Sequence, residues 1–360
     1  MPDKVRDDGR IFTKPANKSY AWNAMNNSSN DLFQQVLRLS HEPFAYFDER
    51  TVHRLLTDHP NQYLEYVRNA LVEIATGLAC IELPPKQIFT DPETASDFRI
   101  MPCVVRHAEG TRKTVKLVGT NTLQKVVPDQ ITVGKAFAIH PSENFVSHIF
   151  EACLLSSART GVCAALAVDL LTESRRKVTL IGAGRVGYYT GLYVSTLGGV
   201  AEVIYSDIDM GRAKATAAAL SQQMPEVRCH ARPWEDLDDT DVLIIATTSI
   251  EHVYSPDDFP ARLVVSLGAD TDTQHELDPR WATLADIFVD THDSARYGDL
   301  RTWQEAGTIS VESLTDLFSL IRNPDPLPRR FPRIFVSTGT ALFDNLTIGY
   351  LLERAADCSV

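Results

Sequence analysis

The hydrophobic pattern of this chain changes period several times, and each change marks an organisational boundary. In FDERTVHRLL (47–56) and QYLEYVRNALVEIATGLA (62–79) apolar residues recur at helical spacing, which predicts two amphipathic helices. Between Cys80 and Ile139 the pattern shortens to β-like runs, RIMPCVV, KTVKLVG and ITVGKAFAI, separated by turns. Together these segments predict an α+β unit. HIFEACLLSSARTGVCAALAVDLLT (148–172) reads as one long helix, apolar nearly all round, and a helix of that kind is buried on most sides. Beyond it, buried-strand runs (VTLI, VIY, DVLIIATTS, LVVSLGAD, DIFVD) alternate with helical stretches such as GRAKATAAALSQQM. That alternation predicts a doubly wound parallel sheet. The pattern breaks after Leu320 in a proline-rich stretch (323–328), and RIFVSTGTALFDNLTIGYLLERA (333–355) reads as strand, turn and helix. This last segment is expected to return to the first unit. Residues 1–40 are polar, with an Asn/Ser patch at 25–30, and read as an extension that is irregular or wraps a partner subunit.

Within the βα region, KVTLIGAGRVG (177–187) places a strand before Gly182, Gly184 and Gly187. The G-x-G-x-x-G spacing serves a tight turn, a close approach of backbone to a pyrophosphate, and packing of helix on sheet. A helix opening there offers N–H groups and the positive end of its dipole. Asp207, twenty residues past Gly187, ends the next apolar strand. A carboxylate at that place accepts hydrogen bonds from the adenosine ribose and repels a 2′-phosphate, which favours NAD over NADP. Arg212 and Lys214 lie close by in sequence and weaken that preference. The fold class is therefore α/β: a Rossmann sheet over 151–329, entered through helix 148–172, with a discontinuous α+β domain from 41–150 and 330–360. Candidate cofactor contacts are Gly182, Ala183, Gly184, Arg185, Val186, Gly187 and Asp207, with Thr160, Thr247 and Thr248.

Composition narrows the partners. A net charge of −12 argues against a nucleic-acid surface, which needs clustered Lys and Arg. No apolar run approaches the roughly 20 residues of a membrane helix, and MPDKVRDDGRIF lacks the apolar core of a signal peptide. The six cysteines follow no C-x-x-C or Cys/His ligand spacing. They read as thiols of a reducing cytoplasm, with no metal site.

Three residues stand out as candidate chemistry. Arg159 lies in the middle of the apolar helix, and a guanidinium cannot shed its charge, so it requires an anion. That anion is either an internal acid such as Asp169 or the carboxylate of a substrate held by the arginine fork. Lys116 alternates with Val115 and Leu117 on its strand; it is a second carboxylate contact if its side is a pocket, and a solvated lysine otherwise. Asp270 follows the strand LVVSLG, where open α/β sheets place ligands. It can serve as a general acid or base, or as a turn or helix-cap residue, a role open equally to Asp272.

The chain resembles the ornithine cyclodeaminase/μ-crystallin family over about residues 45–355. The resemblance is carried by Met101-Pro102, the Lys116 strand, Arg159-Thr160, GAGRVG, GAD with its downstream HEL, and STGTALFD. It implies a Rossmann domain plus an α+β domain that binds substrate and forms a homodimer. It also implies nicotinamide-dependent redox chemistry at the α-carbon of an amino or imino acid. By resemblance Lys116 and Arg159 hold the α-carboxylate and Asp270 is the catalytic acid or base, while Lys86 lies where many members have a carboxylate-binding Arg. Ornithine-type members carry a Glu shortly before Met-Pro, whereas this chain has Arg99. An Arg there repels an ammonium side chain and suits a second carboxylate, unless it faces solvent. EACLLSSART is similar to the same helix in the amino-carboxyethyl-glutamate dehydrogenase branch, which oxidises a secondary amine to a hydrolysable imine. The implied activity is an NAD-dependent amino/imino-acid dehydrogenase. The alternatives are a cyclodeaminase that recycles its NAD and a non-catalytic, crystallin-like binder.

Overall fold

The computed structural model describes Val36 and residues 42–357, except 92, 95, 122–131, 272 and 324–330. The N-terminal extension (apart from Val36), Asp272, most of the proline-rich stretch and Cys358 lie outside the described residues. The described residues from 44 to 357 form one compact unit built on two sheets.

The first sheet holds β1 (Ala45–Phe47), β2 (Cys80–Glu82), β3 (Gln87–Asp91), β4 (Ser96–His107), β5 (Gly110–Thr120), β6 (Thr132–Ile139) and β7 (Val146–Glu151). Its order is β1-β7-β6-β5-β4-β2, with β3 also on β4. Apart from the parallel β1–β7 pair it is antiparallel. The register sets Met101 opposite Lys116 and Lys116 opposite Ala136. Because side chains alternate along a strand, Arg99, Met101 and Cys103 share one face with Thr114, Lys116 and Val118. All of these are buried.

The second sheet holds β8 (Lys177–Ile181), β9 (Glu202–Ser206), β10 (Arg228–Ala231), β11 (Thr240–Ile245), β12 (Ala261–Ser266), β13 (Asp286–Val289), β14 (Thr315–Asp316) and β15 (Arg333–Val336). All are parallel, in the order β10-β9-β8-β11-β12-β15-β13-β14. The order turns back between β8 and β11, which opens a crevice at their carboxyl ends.

Two features differ from the pattern reading. Residues 148–151 belong to strand β7, and the long helix runs only from Ala152 to Leu171. Glu151 ends the strand and caps the helix, its carboxylate accepting from the N–H groups of Cys153 and Leu154 at 2.6 and 2.8 Å. Local sequence hid this switch because aromatic and β-branched residues suit either element when buried. The second difference concerns β15. It does not return to the first unit; it is inserted between β12 and β13, where Ile334 and Phe335 are wholly buried. Only the helix that follows, Ala341–Asp357, packs back on β4 and β5.

The helix Ala152–Leu171 is long and apolar enough to cross a membrane by length and composition alone. It is instead the central core element, packed against β5, β6 and β7 of one sheet and β12 of the other. The C-terminal helix joins this core through Phe343 and Leu346, both buried. Phe343→Ala is expected to cost about 3–5 kcal/mol of stability, read as a lower urea midpoint with an unchanged slope.

Candidate active site

The glycine loop follows β8, and its three glycines meet different surroundings. Gly182 has φ +97° and its backbone lies against Ala246, where a Cβ would sit 2.3 Å from the carbonyl oxygen. A Cβ on Gly187 would sit 2.1 Å from the Gly182 carbonyl oxygen, so only glycine lets the helix approach the loop this closely. Gly184 instead faces open space. It begins the helix Arg185–Ser195, and no side chain caps that end. The open glycine beside an uncapped helix N-terminus fits a dinucleotide pyrophosphate. Val186 lies in this first turn, and the Arg185 guanidinium donates to Cys153 Sγ at 3.2 Å.

Asp207 follows β9. One of its carboxylate oxygens accepts the Ala183 N–H at 2.7 Å and the other the Asp209 N–H at 2.8 Å. It thereby ties the glycine loop to the end of the next strand. Arg212 stands 3.9 Å from it, and Lys214 is exposed. The Thr160 hydroxyl is turned back on its own helix, donating to the Ser156 carbonyl at 2.9 Å.

The neighbouring strand ends are joined by a buried carboxylate that the sequence did not single out. Glu276 accepts from the N–H and hydroxyl of Thr247, the Ser266 hydroxyl, and the N–H groups of Leu267 and Gly268, at 2.7–3.0 Å. This clasp holds the Thr247 loop after β11 against the Gly268–Asp270 turn after β12. Thr248, next along, is exposed. Burial, partly offset by these hydrogen bonds, pushes the Glu276 carboxyl up to about 7.

Asp270 closes the crevice. No helix starts there, so it is not a helix cap. Its carboxylate accepts from Arg99 at 2.6 Å and is 31% exposed. Burial alone would raise it, but the charge of Arg99, then that of Lys86, outweighs burial and holds it below the usual carboxylate value. Asp270 is therefore ionised at neutral pH and equipped to accept a proton.

Arg99 does not face solvent. It is buried on the inner face of β4, engaged through Nε and Nη2 by both oxygens of Asp97, at 2.7 and 3.2 Å, and through Nη1 by Asp270. Its anions are thus internal ones. Lys86, between β2 and β3, donates to the carbonyls of Asp270 and Thr338 at 3.3 and 2.9 Å and lies 3.8 Å over the Tyr297 ring. Burial lowers its ammonium to about 8.

Lys116 is 1% exposed while Leu117 beside it is 43% exposed, an inversion of the usual preference. It donates to Asp344 Oδ1 at 2.8 Å. Arg159 reaches the same oxygen through Nε at 3.3 Å. Asp169, the internal acid that the sequence offered as a partner, is occupied by Arg68 and Arg175. Among the described residues no hydrogen-bond partner is seen for Arg159, neither for its buried Nε nor for its Nη groups. They lie against Gly339, where a Cβ would sit 2.9 and 3.0 Å from them and where φ is +83°. Gly339 also lines a cleft of about 160 Å³ with Lys86, Ser294, Thr338 and Thr340.

The structure thus gathers Lys86, Arg99, Lys116, Arg159 and Asp270, drawn from both sheets and the central helix, beside the strand ends that continue the glycine loop. Asp344, Glu276 and Gly339 were not read as functional. Asp344 and Gly339 lie within STGTALFD and Glu276 within HEL, so the strings were visible but their partners were not.

Fold and loop together define a protein of the Rossmann class with an added antiparallel sheet. The chain belongs to the ornithine cyclodeaminase/mu-crystallin family, whose model matches residues 50–357. No curated protein matches the sequence significantly. Among solved structures, an archaeal alanine dehydrogenase dimer with bound NAD is 21% identical with a TM-score of 0.75, over 88% of this chain and 97% of that one. The Δ1-pyrroline-2-carboxylate reductase of Thermococcus litoralis, in complex with NADH and L-proline, is 20% identical with a TM-score of 0.78, over 88% and 99%. The iminosuccinate reductase of Paracoccus denitrificans, in complex with NAD+, is 19% identical with a TM-score of 0.74, over 89% and 98%.

The Glu276 clasp carries a pH signature. Its folded pKa lies above the unfolded value of about 4.3, so its contribution to stability is complete below that value and is lost as pH rises through 7. Urea midpoints should fall between about pH 5 and 7.5, and Glu276→Gln, which does not titrate, should flatten that fall.

Proposed function

We propose that this chain is an NAD-dependent oxidoreductase that interconverts amine and imine at the α-carbon of an amino acid or N-substituted amino acid. The observation that carries the reading is the buried pair of cations, Lys116 and Arg159, sharing the single carboxylate of Asp344. Within that trio one positive charge is left over, with Asp270 and Asp290 acting on Arg159 only as neighbouring charges, and the Nη edge of Arg159 offers a planar fork that matches a carboxylate. An α-carboxylate completes that set of charges.

With NAD(H) on the glycine loop, the nicotinamide supplies the acceptor or donor of a hydride at the α-carbon. This chain's residues do the rest. Arg159 and Lys116 orient the substrate, an effect that can contribute several kcal/mol. Asp270, kept ionised by Arg99 and Lys86, accepts the proton released as the amine becomes an imine, or takes one from the water that adds to the imine. Asp207, beside the glycine loop, supports NAD over NADP, because a carboxylate there repels a 2′-phosphate.

Arg99 weighs against a cyclodeaminase. Buried and held by Asp97 and Asp270, it puts a cation where a diamine substrate would need an acid, and like charges at close range are costly. The expected second carboxylate partner of Arg99 is supplied by the chain itself, so a substrate with one carboxylate suffices.

The reading extends to a homodimer. The outer face of the first sheet carries Phe89, Phe98, Ile100, Val115, Leu117, Phe137, Ile149 and Tyr46. Phe89 and Phe98 stack at 4.7 Å, each 46% exposed, and Tyr46 is 52% exposed. A sheet apolar on both faces needs a second layer, and a second copy of this face supplies one. Five described cysteines are free thiols, which fits a cytoplasmic location.

NADH absorbance against a panel of amino acids, secondary-amine amino acids and cyclic imines tests the activity. Arg159→Met is expected to raise KM by about 100-fold with NADH affinity unchanged. Full turnover by Asp270→Asn would remove Asp270 from the mechanism. Phe98→Asp should shift the sedimentation coefficient from dimer to monomer.

A further inference from the structure

We propose that Asp344 is the positioning residue of the anion clamp: it sets which edge of Arg159 meets the substrate and keeps Lys116 charged to meet it. The inference rests on the reading that Lys116 and Arg159 receive an α-carboxylate, and it assigns a role to a residue that touches neither substrate nor cofactor.

Geometry carries it. A guanidinium offers a carboxylate either its Nη1/Nη2 edge or its Nε/Nη edge. Asp344 Oδ1 stands 3.3 Å from Nε as an ion pair short of a hydrogen bond, so its charge turns a second carboxylate away from that edge. Only the Nη1/Nη2 edge remains, and it lies against Gly339, the residue whose missing side chain opens the way to the cleft. Asp344 is 1% exposed, in the first turn of the C-terminal helix, so it cannot swing aside into solvent.

The same oxygen accepts from Lys116 at 2.8 Å. Lys116 feels burial first, which lowers its ammonium to about 8; Asp344 raises it, while Arg159 and Arg99 lower it. The other titratable groups that face Asp344 are the phenol of Tyr63 and the thiol of Cys103. Burial holds both neutral at physiological pH, with the thiol pushed up to about 12. Asp344 is thus the anion that opposes the mutual repulsion of the two cations, and without it Lys116 would shed its proton at lower pH.

Pyruvate, a small 2-oxo acid with one carboxylate, serves as the probe. Its affinity for the full chain saturated with NAD+ can be followed by calorimetry from about pH 6 to 10, a range that spans the Lys116 transition. Wild-type affinity should be flat at low pH and decline above about 8. In Asp344→Asn the decline should be displaced at least about one pH unit downward. A residue with a merely structural role would leave the midpoint in place. Should Asp344→Asn fail to fold, Asp344→Glu and Lys116→Arg carry the test. The Glu variant keeps the charge and should keep the midpoint; Lys86→Arg alone, which removes the other ammonium lowered to about 8, should retain the decline, and Lys116→Arg in that background should lose it. An unmoved midpoint in Asp344→Asn, or a decline that persists in the Lys86→Arg, Lys116→Arg double variant, overturns the inference alone. If wild type binds NAD+ but no pyruvate at any pH, the clamp reading fails and this inference with it.

Discussion

One buried carboxylate, Asp344, holds two buried cations, and much of the molecule is arranged around that arithmetic. Removing a lysine and an arginine from water costs several kcal/mol each, a cost no isolated strand or helix could sustain. It is offset only because the C-terminal helix returns to the inner face of the first sheet and delivers an anion to both. The inversion on β5, lysine inward and leucine outward, makes sense only with that helix in place. Breaking the set by removing one partner leaves an uncompensated charge in the core. Keeping it leaves one positive charge unbalanced within the trio, the feature on which the proposed carboxylate site rests.

The rest of the site is built from strand ends. In the parallel sheet the order turns back between β8 and β11, and the loops at their carboxyl ends diverge to leave a crevice. Neighbouring loops are then fastened in series. Asp207 joins the glycine loop to the end of β9, Glu276 joins the Thr247 loop to the turn after β12, and Arg99 joins that turn to the first sheet. Each fastening is a carboxylate accepting from backbone N–H groups or a guanidinium, the strong class of hydrogen bond. A ligand bound between the sheets meets groups already held in place, and preorganisation of this kind is what orienting catalysis requires. The insertion of β15 between β12 and β13 has the same consequence. It brings Ser337 to Thr340 to the edge of the cleft, from which the chain crosses to the first sheet through Gly339.

Much of this was legible from local pattern. The glycine spacing, the apolar strand before it and the acid twenty residues on are short-range features whose physical reasons act within one βα unit, so their meaning survives without coordinates. Arg159 was conspicuous because a charge inside an apolar helix demands an anion wherever the helix ends up. Lys116 was ambiguous, since alternation says which residues share a face but not which face is buried. Arg99 was read as a departure from the ornithine-type pattern that suits a second carboxylate, and the anions it meets are Asp97 and Asp270.

The sequence alone therefore determined the elements, the parallel βα sheet, the dinucleotide-type loop and the need for an anion near residue 159. Those follow from periodicity and from the chemistry of single residues. Tertiary structure alone decided that the anion is Asp344, 185 positions away, that Glu276 clasps two loops, and that β15 enters the second sheet. Pairings across such distances depend on which surfaces meet when the two sheets close on the central helix, and no local pattern encodes that meeting.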